Sequence, residues 1–579
     1  MKERVTMRQA IGDFLLRRLQ EVGIQHIFGV PGDYNLGLMQ QLEDRGEPTW
    51  IGNCNELNAS YATDAYARIN GIGAMSVTHG VGTLSAVNGI AGAYSEHVPV
   101  ILISGSLPLR AVQRGDLMHH TLIDREKGNL FRMFAEITEA QARLTPENAA
   151  TEIDRLILTA WRRKRPVYLE LPSDIPYLEI EVPDSPLKLE MIPSEAESLK
   201  ACADMILERL KAAKSPAFLL DIDAMRFGVS KQILELAERF QMQVATLNCT
   251  KGAVPENSPQ LVGTYAGIAS SPATHEAIER SDCLLTVGYR RVETTTGFFT
   301  DKLPASAIHL NSDSVDTAAR NYQGVYMAEL LHSIVDSSSG TVTKKKPARP
   351  PKQVPFTSSN EPLTQDAYWK AIQNFLRPGD VIVVEDGVSS TGMGRLTLPE
   401  ACTYITAAFV WCSIGYATPA LLGAILASPG RRHILLTGEG SLQMTVQELS
   451  TVLRHDLKPF IFVINNSGYT VERAVLGKDA KYNDVANWRY SELPNVFSRD
   501  KKAETYVVQT SNELQNVLES PHSGMVFVES VIDKYDAPID LIVGGHALAD
   551  SDYGVPGPQS AINSQIPLPT RSAERNKSF

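Results

Sequence analysis

His433-Ile-Leu-Leu-Thr-Gly438-Glu439-Gly440-Ser441, followed 24 positions later by Asn465-Asn466-Ser467-Gly468-Tyr469, reads as one βαβ unit. The first apolar run delivers an acidic residue flanked by glycines. Leu442 to Leu453 predicts a helix, and Phe460 to Ile464 predicts a second strand that brings an Asn amide and a Gly carbonyl to the same sheet edge. Hard oxygen ligands then stand at both strand ends. A carboxylate, an amide oxygen and a backbone carbonyl, completed by phosphate oxygens and water, match what octahedral Mg²⁺ demands, with Glu439, Asn466 and Gly468 as candidate ligands. Two ordinary loop turns would give the same spacing.

The same pattern runs along the chain. Short apolar runs at Ile24 to Val30, Val98 to Ser104, Ala217 to Leu220, Leu284 to Val287 and Val381 to Val384 are each followed closely by Gly, Asn or Asp. Strand and helix alternate, which predicts the α/β class: doubly wound parallel sheets with helices on both faces. Ligands of such sheets sit beyond the carboxyl ends of the strands, so the polar turns are where chemistry belongs. At 579 residues the chain exceeds one hydrophobic core, and a domain size of roughly 100–200 residues suggests three. Stretches rich in proline and polar residues at Leu171 to Ser194 and Ser337 to Glu361 divide it into 1–185, 190–340 and 362–545. A linker covers 341–361 and a polar tail 546–579. The middle segment carries no ligand motif and reads as a spacer and assembly surface.

Apolar residues make up 43% of the chain and charged residues 21%, a globular balance. Lys and Arg total 55 against 66 Asp and Glu, a net charge of −11 that argues against nucleic acid or an anionic membrane as partner. The cysteines (Cys54, Cys202, Cys249, Cys283, Cys402, Cys412) show no CxxC or Cys/His spacing, so neither a disulfide frame nor a zinc site is expected. From Lys2 the chain is expected to run straight into an amphipathic helix, with Ile11, Leu15, Leu19 and Val22 on one face and Gly23 as its stop. No signal peptide is read before it, and the expected location is cytoplasmic. Residues 401–430 carry no charge, yet Gly415, Pro419, Gly423 and Pro429 interrupt them. They read as buried strand, turn and helix rather than a membrane span. The glycine pairs Gly71/Gly73, Gly80/Gly82 and Gly438/Gly440 lack the third glycine of a dinucleotide fingerprint, and no GxxxxGK[ST] occurs.

The opening stretch resembles the Gly-Asp-Gly … Asn-Asn motif of thiamine diphosphate enzymes. From residue 8 to about 540 the chain is similar to the pyruvate and indolepyruvate decarboxylase family. The segments that carry the likeness are Phe28-Gly-Val-Pro-Gly-Asp33-Tyr-Asn-Leu, Asn53-Cys-Asn-Glu56-Leu-Asn-Ala, Asn88-Gly-Ile-Ala-Gly, Glu96-His-Val-Pro-Val, His119-His120-Thr-Leu, Arg165-Pro-Val-Tyr-Leu, Trp411-Cys-Ser-Ile414-Gly-Tyr and Gly468-Tyr-Thr-Val-Glu472-Arg. The resemblance implies three doubly wound α/β domains in the order pyrimidine-binding, central, diphosphate-binding. It implies thiamine diphosphate and Mg²⁺ as cofactors and the non-oxidative decarboxylation of a 2-oxo acid to an aldehyde and CO₂. It also implies a homodimer or homotetramer in which Glu56 and Glu439 meet one cofactor from different chains.

By the same resemblance Glu56 hydrogen-bonds the aminopyrimidine ring, Ile414 is the wedge that bends the cofactor, and the Cys412 backbone carbonyl holds the exocyclic amine where glycine is usual. Thr78, Val388, Ser413, Gly438, Gly440, Ser441, Asn466, Gly468, Tyr469, Thr470 and Val471 complete the cofactor contacts. Asp33, His119, His120 and Glu472 match the acid/base quartet, and their tunable pKa values suit proton handling. Ser390, Thr391, Val471 and Val475 fall at substrate-pocket positions, small enough for an aromatic or branched 2-oxo acid as well as pyruvate. Departures from the pattern are Glu439 for aspartate, Ile123-Asp-Arg125 for a Gly-Asp-Gly turn, His79 for an aromatic and Val388 for threonine. The glycines beside Glu439 are expected to give the turn freedom in φ and ψ to absorb the extra methylene. A carboligating transferase of the acetolactate synthase kind and a non-catalytic regulatory paralogue are the competing readings; Asp33 and His119-His120 weigh against the first.

Overall fold

Three open sheets carry the chain in the computed structural model, which describes residues 6–338 and 355–553. The first sheet is fully parallel, in the spatial order Thr49–Gly52, His26–Gly29, Gly73–Thr78, Val100–Ser106, Val167–Pro172, Ala140–Arg143. Its inner strands Gly73–Thr78 and Val100–Ser106 are buried along their whole length, as apolar strands covered on both faces must be. The last sheet repeats the design: Thr403–Thr406, Val381–Val384, His433–Gly438, Phe460–Asn465, Val526–Val531, Glu504–Val508, again all parallel. The central sheet has five parallel strands, Leu261–Thr264, Gln243–Thr246, Pro216–Leu220, Cys283–Val287 and Ile308–Leu310. The short strands Ser314–Asp316 and Asn321–Gln323 extend it antiparallel.

Three expectations change. The segment before the first helix is a strand, Thr6–Ala10, paired antiparallel with Glu179–Pro183. Only then does the amphipathic helix Ile11–Glu21 begin, with Ile11, Leu15 and Leu19 fully buried. Gly23 follows at φ +90, the left-handed conformation that closes a helix. The helix expected over Leu442 to Leu453 starts earlier and is broken into Glu439–Thr445, a 3₁₀ turn Val446–Glu448, and Leu449–Arg454. The polar tail expected from 546 is still helical at its start, since Ile539–Tyr553 is one helix with His546 and Ala549 buried. The rest of the tail, most of the linker and Lys2 lie outside the described residues.

The uncharged stretch 401–430 folds as read: strand Thr403–Thr406, a turn, and helix Ala417–Ala427, buried from Ala417 to Ile425. That helix crosses Glu56–Asn70 of the first sheet's layer so closely that a Cβ on Gly423 would lie 1.9 Å from the Ala62 carbonyl oxygen. One hydrophobic cluster spans the contact, joining Phe28, Ala62, Tyr66 and Leu102 to Leu421, Leu435, Ile461 and Phe527. Among the described residues no helix is long and apolar enough to cross a membrane.

Candidate cofactor and acid/base site

Glu439 follows the strand His433–Gly438 directly and is 1% exposed. Its Oε1 accepts the Gly468 amide at 2.5 Å. Burial pushes its carboxyl up to about 7, against the lowering effect of that amide. The Asn466 side-chain oxygen lies 3.3 Å from Glu439 Oε2 and 2.9 Å from the Gly468 carbonyl oxygen, while its Nδ2 donates to Thr470 Oγ1 at 2.8 Å. Turning the amide over would replace those close oxygen contacts with hydrogen bonds. The orientation with three converging oxygens has its own physical logic: ligands at about 2.0–2.1 Å on an octahedron stand roughly 2.9–3.0 Å apart along an edge. A carboxylate, an amide oxygen and a backbone carbonyl at these separations fit a divalent cation.

Neighbouring residues fix this loop. Gly468 sits at φ +135, and a Cβ there would strike the Asn483 carbonyl oxygen at 2.0 Å; a Cβ on Gly440 would meet the Tyr469 ring at 2.7 Å. Gly438 has ordinary extended dihedrals, φ −100 and ψ 157. Gly440 and Gly468 therefore serve close approach at this site, while Gly438 is neither crowded nor left-handed, so the freedom of φ expected around Glu439 is not what that position uses. Arg473, 4% exposed, donates to the Ser467 carbonyl at 2.7 Å and to Asp484 Oδ1 at 2.8 Å, clamping the loop from behind. Ser441 and Thr470 are buried beside the oxygen cluster, while Tyr469 and Val471 are half-buried. Ser390 and Thr391 turn back to donate to the Gly387 carbonyl, both at 3.0 Å. Ser390 is 1% exposed and Val475 4%, so neither is an open pocket wall.

The remaining residues gather at the carboxyl edge of the first sheet. Glu56 opens its helix behind the cap Asn55, whose Oδ1 accepts the Asn58 amide at 2.8 Å. Glu56 Oε1 would lie 2.9 Å from a Cβ on Gly82, so the glycine makes room for the carboxyl. Thr78, at the end of its strand, buries an Oγ1 without a hydrogen-bond partner, a donor in wait for a ligand. His119 Nε2 lies 2.6 Å from Asp33 Oδ2, and Tyr34 reaches the far side of the same ring at 3.2 Å from Nδ1. His120 Nδ1 is 3.9 Å from Asp33 Oδ1. His79 is buried behind them, and burial lowers its pKa to about 4, so it stays neutral.

The loop bearing the histidines is tightly held. A Cβ on Gly80 would be 1.9 Å from the His120 carbonyl oxygen. His120, Ile123 and Arg125 all take left-handed φ near +60, which for a β-branched isoleucine is an outlier conformation. Positions 123 and 125 are those where the related motif carries glycine, which explains the strain.

Three site residues escaped sequence reading: Tyr34, Arg473 and Asp386. The first two leave little sequence trace, but Glu385-Asp386-Gly387 closes the apolar run Val381–Val384, a polar strand end of the kind singled out elsewhere. Glu385 is buried, accepts the Gly415 and Ala417 amides at 3.2 and 3.1 Å, and burial pushes its pKa to about 8. Asp386 is half-buried. Glu472 is exposed by surface area, and its pKa is raised by desolvation and then by Asp386. Among the described residues, no hydrogen bond or ion pair joins Asp33, Glu56, His119 or His120 to Glu439, Asn466 or Glu472.

Comparison with known proteins agrees with this layout. The chain matches models of the thiamine pyrophosphate enzyme N-terminal TPP binding domain over residues 9–126, the central domain over 203–329 and the C-terminal TPP binding domain over 387–529. It is 37% identical to pyruvate decarboxylase isozyme 2 of Saccharomyces cerevisiae over 92% of this chain and 97% of that one. It is 38% identical to a pyruvate decarboxylase of Aspergillus terreus and 37% identical to an alpha-keto-acid decarboxylase of Mycolicibacterium paratuberculosis, each over 92% of this chain and 95% of the relative. The chain belongs to the thiamine pyrophosphate enzymes, and within them to the family of pyruvate and alpha-keto-acid decarboxylases. It is a carboxy-lyase whose cofactor is thiamine diphosphate.

Proposed function

We propose that the chain removes CO₂ from a 2-oxo acid without oxidation and releases the aldehyde, with Asp33, His119, His120 and Glu472 handling protons. The cluster of Asp33, His119 and His120, whose ligand atoms lie within 4.8 Å of one another, carries this reading. Thiamine diphosphate supplies the electron sink for the carbon–carbon cleavage. The chain's own residues bind and orient it. Glu439, Asn466 and the Gly468 carbonyl would hold Mg²⁺, with Gly438, Gly440, Ser441, Tyr469, Thr470 and Val471 around the diphosphate end of the cofactor. Val388, Ser413, Ile414 and the Cys412 carbonyl would line its middle, and Glu56 and Thr78 would meet the pyrimidine ring. Asp33 keeps His119 oriented, and Tyr34 fixes the ring from the other side. A panel of 2-oxo acids, with CO₂, aldehyde and acyloin measured side by side, tests the reading: aldehyde should dominate, and dominant acyloin would favour a carboligating transferase. Pyruvate, branched and aromatic substrates all fit the expectation, and the cytoplasm is its expected compartment.

Glu56→Gln should slow proton/deuterium exchange at the thiazolium carbon by roughly 10²-fold or more, because an amide cannot share a proton with the ring as a carboxyl does. NMR of acid-quenched samples reads that rate. An unchanged rate would remove Glu56 from the mechanism.

The enzyme is a homodimer or a homotetramer built from such pairs, each site shared between two chains. That no hydrogen bond or ion pair among the described residues joins the Asp33 cluster to the Glu439 cluster within one chain supports this. So do Leu36, Val81 and Leu84, which expose apolar side chains beside the Asp33 and Glu56 segments. Mixing inactive Asp33→Asn and Glu439→Ala enzymes under subunit exchange should regain activity that neither parent has. Mixtures that stay inactive would place the whole site within one chain.

A further inference from the structure

Glu448 ends the 3₁₀ turn Val446–Glu448 and is fully buried, at 0% exposure. Its carboxyl reaches out of the last sheet's layer and grips both flanks of Glu56. Oε1 accepts from Asn53 Nδ2 at 2.9 Å, while Oε2 accepts from the Cys54 amide at 3.3 Å and from Asn58 Nδ2 at 2.7 Å. One carboxylate thus ties the residues just before Glu56 to one just after it. Asn53 passes the anchor on: its backbone amide donates to the Gly29 carbonyl at 2.9 Å and its Oδ1 accepts the Gly29 amide at 3.1 Å, which fixes the loop at the carboxyl end of the strand His26–Gly29. The Cys54 thiol adds a bond to the Gln447 carbonyl at 3.2 Å. Hydrogen bonds to a carboxylate are roughly twice as strong as neutral ones, and removing the acceptor would leave buried donors unpaired.

Glu56 depends on such an anchor. Among the described residues its carboxyl has no hydrogen-bond or ion-pair partner, so the backbone beneath it alone decides where it stands. We propose that Glu448 is a positioning residue, whose carboxylate clamps the loop 53–58 and so sets where the Glu56 carboxyl meets the pyrimidine ring. A misplacement of about 1 Å, caused far from the chemistry, can cost about 10²-fold in rate. The inference rests on the proposed role of Glu56, and the test separates the two.

The experiment is a double-mutant cycle between Glu448→Ala and Glu56→Gln, read by proton/deuterium exchange at the thiazolium carbon with thiamine diphosphate and Mg²⁺ saturating. Glu448→Ala alone should slow that exchange about tenfold or more. Glu448→Gln, which keeps the volume and one acceptor oxygen, should slow it about three- to tenfold, and it carries the same cycle should the alanine variant fail to fold. In the Glu56→Gln background either change should alter the rate less than about twofold, because the group being positioned is already gone. A second readout needs no cofactor: amide exchange of the full cofactor-free chain, followed by mass spectrometry, should quicken over residues 53–58 in both Glu448 variants. Losses that multiply in the double variant would overturn the proposal and make Glu448 a tie between sheets that acts on the site as a whole. Parental amide exchange over 53–58 in folded Glu448→Gln would overturn the clamp itself. Faster amide exchange beside a Glu56→Gln enzyme with parental thiazolium exchange would retain the clamp and overturn the role of Glu56, and the positioning with it.

Discussion

Asp33→Asn should release CO₂ about 10²–10⁴-fold more slowly than the parent, the usual scale of general acid/base catalysis, while binding thiamine diphosphate equally well. The geometry sets both halves of that expectation. Asp33 Oδ2 lies 2.6 Å from His119 Nε2, and its other oxygen stands 3.9 Å from His120 Nδ1. An asparagine preserves the shape and one hydrogen bond, but it removes the carboxylate that can take up a proton, and its amide nitrogen cannot accept from a ring N–H. Tyr34 cannot compensate, since a neutral hydroxyl at 3.2 Å orients the ring without supplying a base. Cofactor binding survives because none of these groups bonds to the Glu439 cluster. His120→Ala should fall in the same range. Steady-state CO₂ release beside calorimetric cofactor affinity checks the claim, and parental turnover in either variant would remove the pair from the chemistry.

Glu439→Ala should lose Mg²⁺-dependent cofactor binding by roughly 100-fold or more, given that even outer-sphere partners of metal ligands are worth 10–100-fold. The buried cavity left behind would retain an amide oxygen and a carbonyl with no formal charge to balance the cation. Glu439→Asp should retain or improve binding. It keeps the charge, and aspartate is the residue that the resembling motif carries at this position. Calorimetric titration with Mg²⁺, Mn²⁺ and Ca²⁺ reads the outcome. Equal affinity in Glu439→Ala and the parent would show that the carboxylate is not a ligand.

The α/β architecture was legible because apolar runs such as Val381–Val384 and Val100–Ser106 are buried on both faces, so burial itself writes the strand into the sequence. The strand Thr6–Ala10 was not legible: it pairs at an exposed edge with Glu179–Pro183, and its alternation is too short to announce it. The break in the helix after Thr445 was hidden for a different reason. Thr445 donates to the Gly415 carbonyl and Glu448 accepts from Asn53 and Asn58, contacts with segments remote in sequence. At the site, motif spacing brought Glu439 and Asn466 forward, but Tyr34 shows its part only through its hydroxyl, 3.2 Å from the Nδ1 of a histidine remote in sequence.

The crossing at Gly423 has a thermodynamic corollary. The hydrophobic cluster through that contact draws on the first and last sheets, whereas the buried residues of the central sheet's cores, around Phe218, Val244 and Leu285 on one face and Leu219, Ala245 and Leu284 on the other, all come from the middle third, with the half-buried Phe409 of the last third packed against one of them. Two sheets sharing one interior must lose it together. Heating should therefore melt the first and last thirds of the chain as a single cooperative block, with the middle third free to unfold at its own temperature.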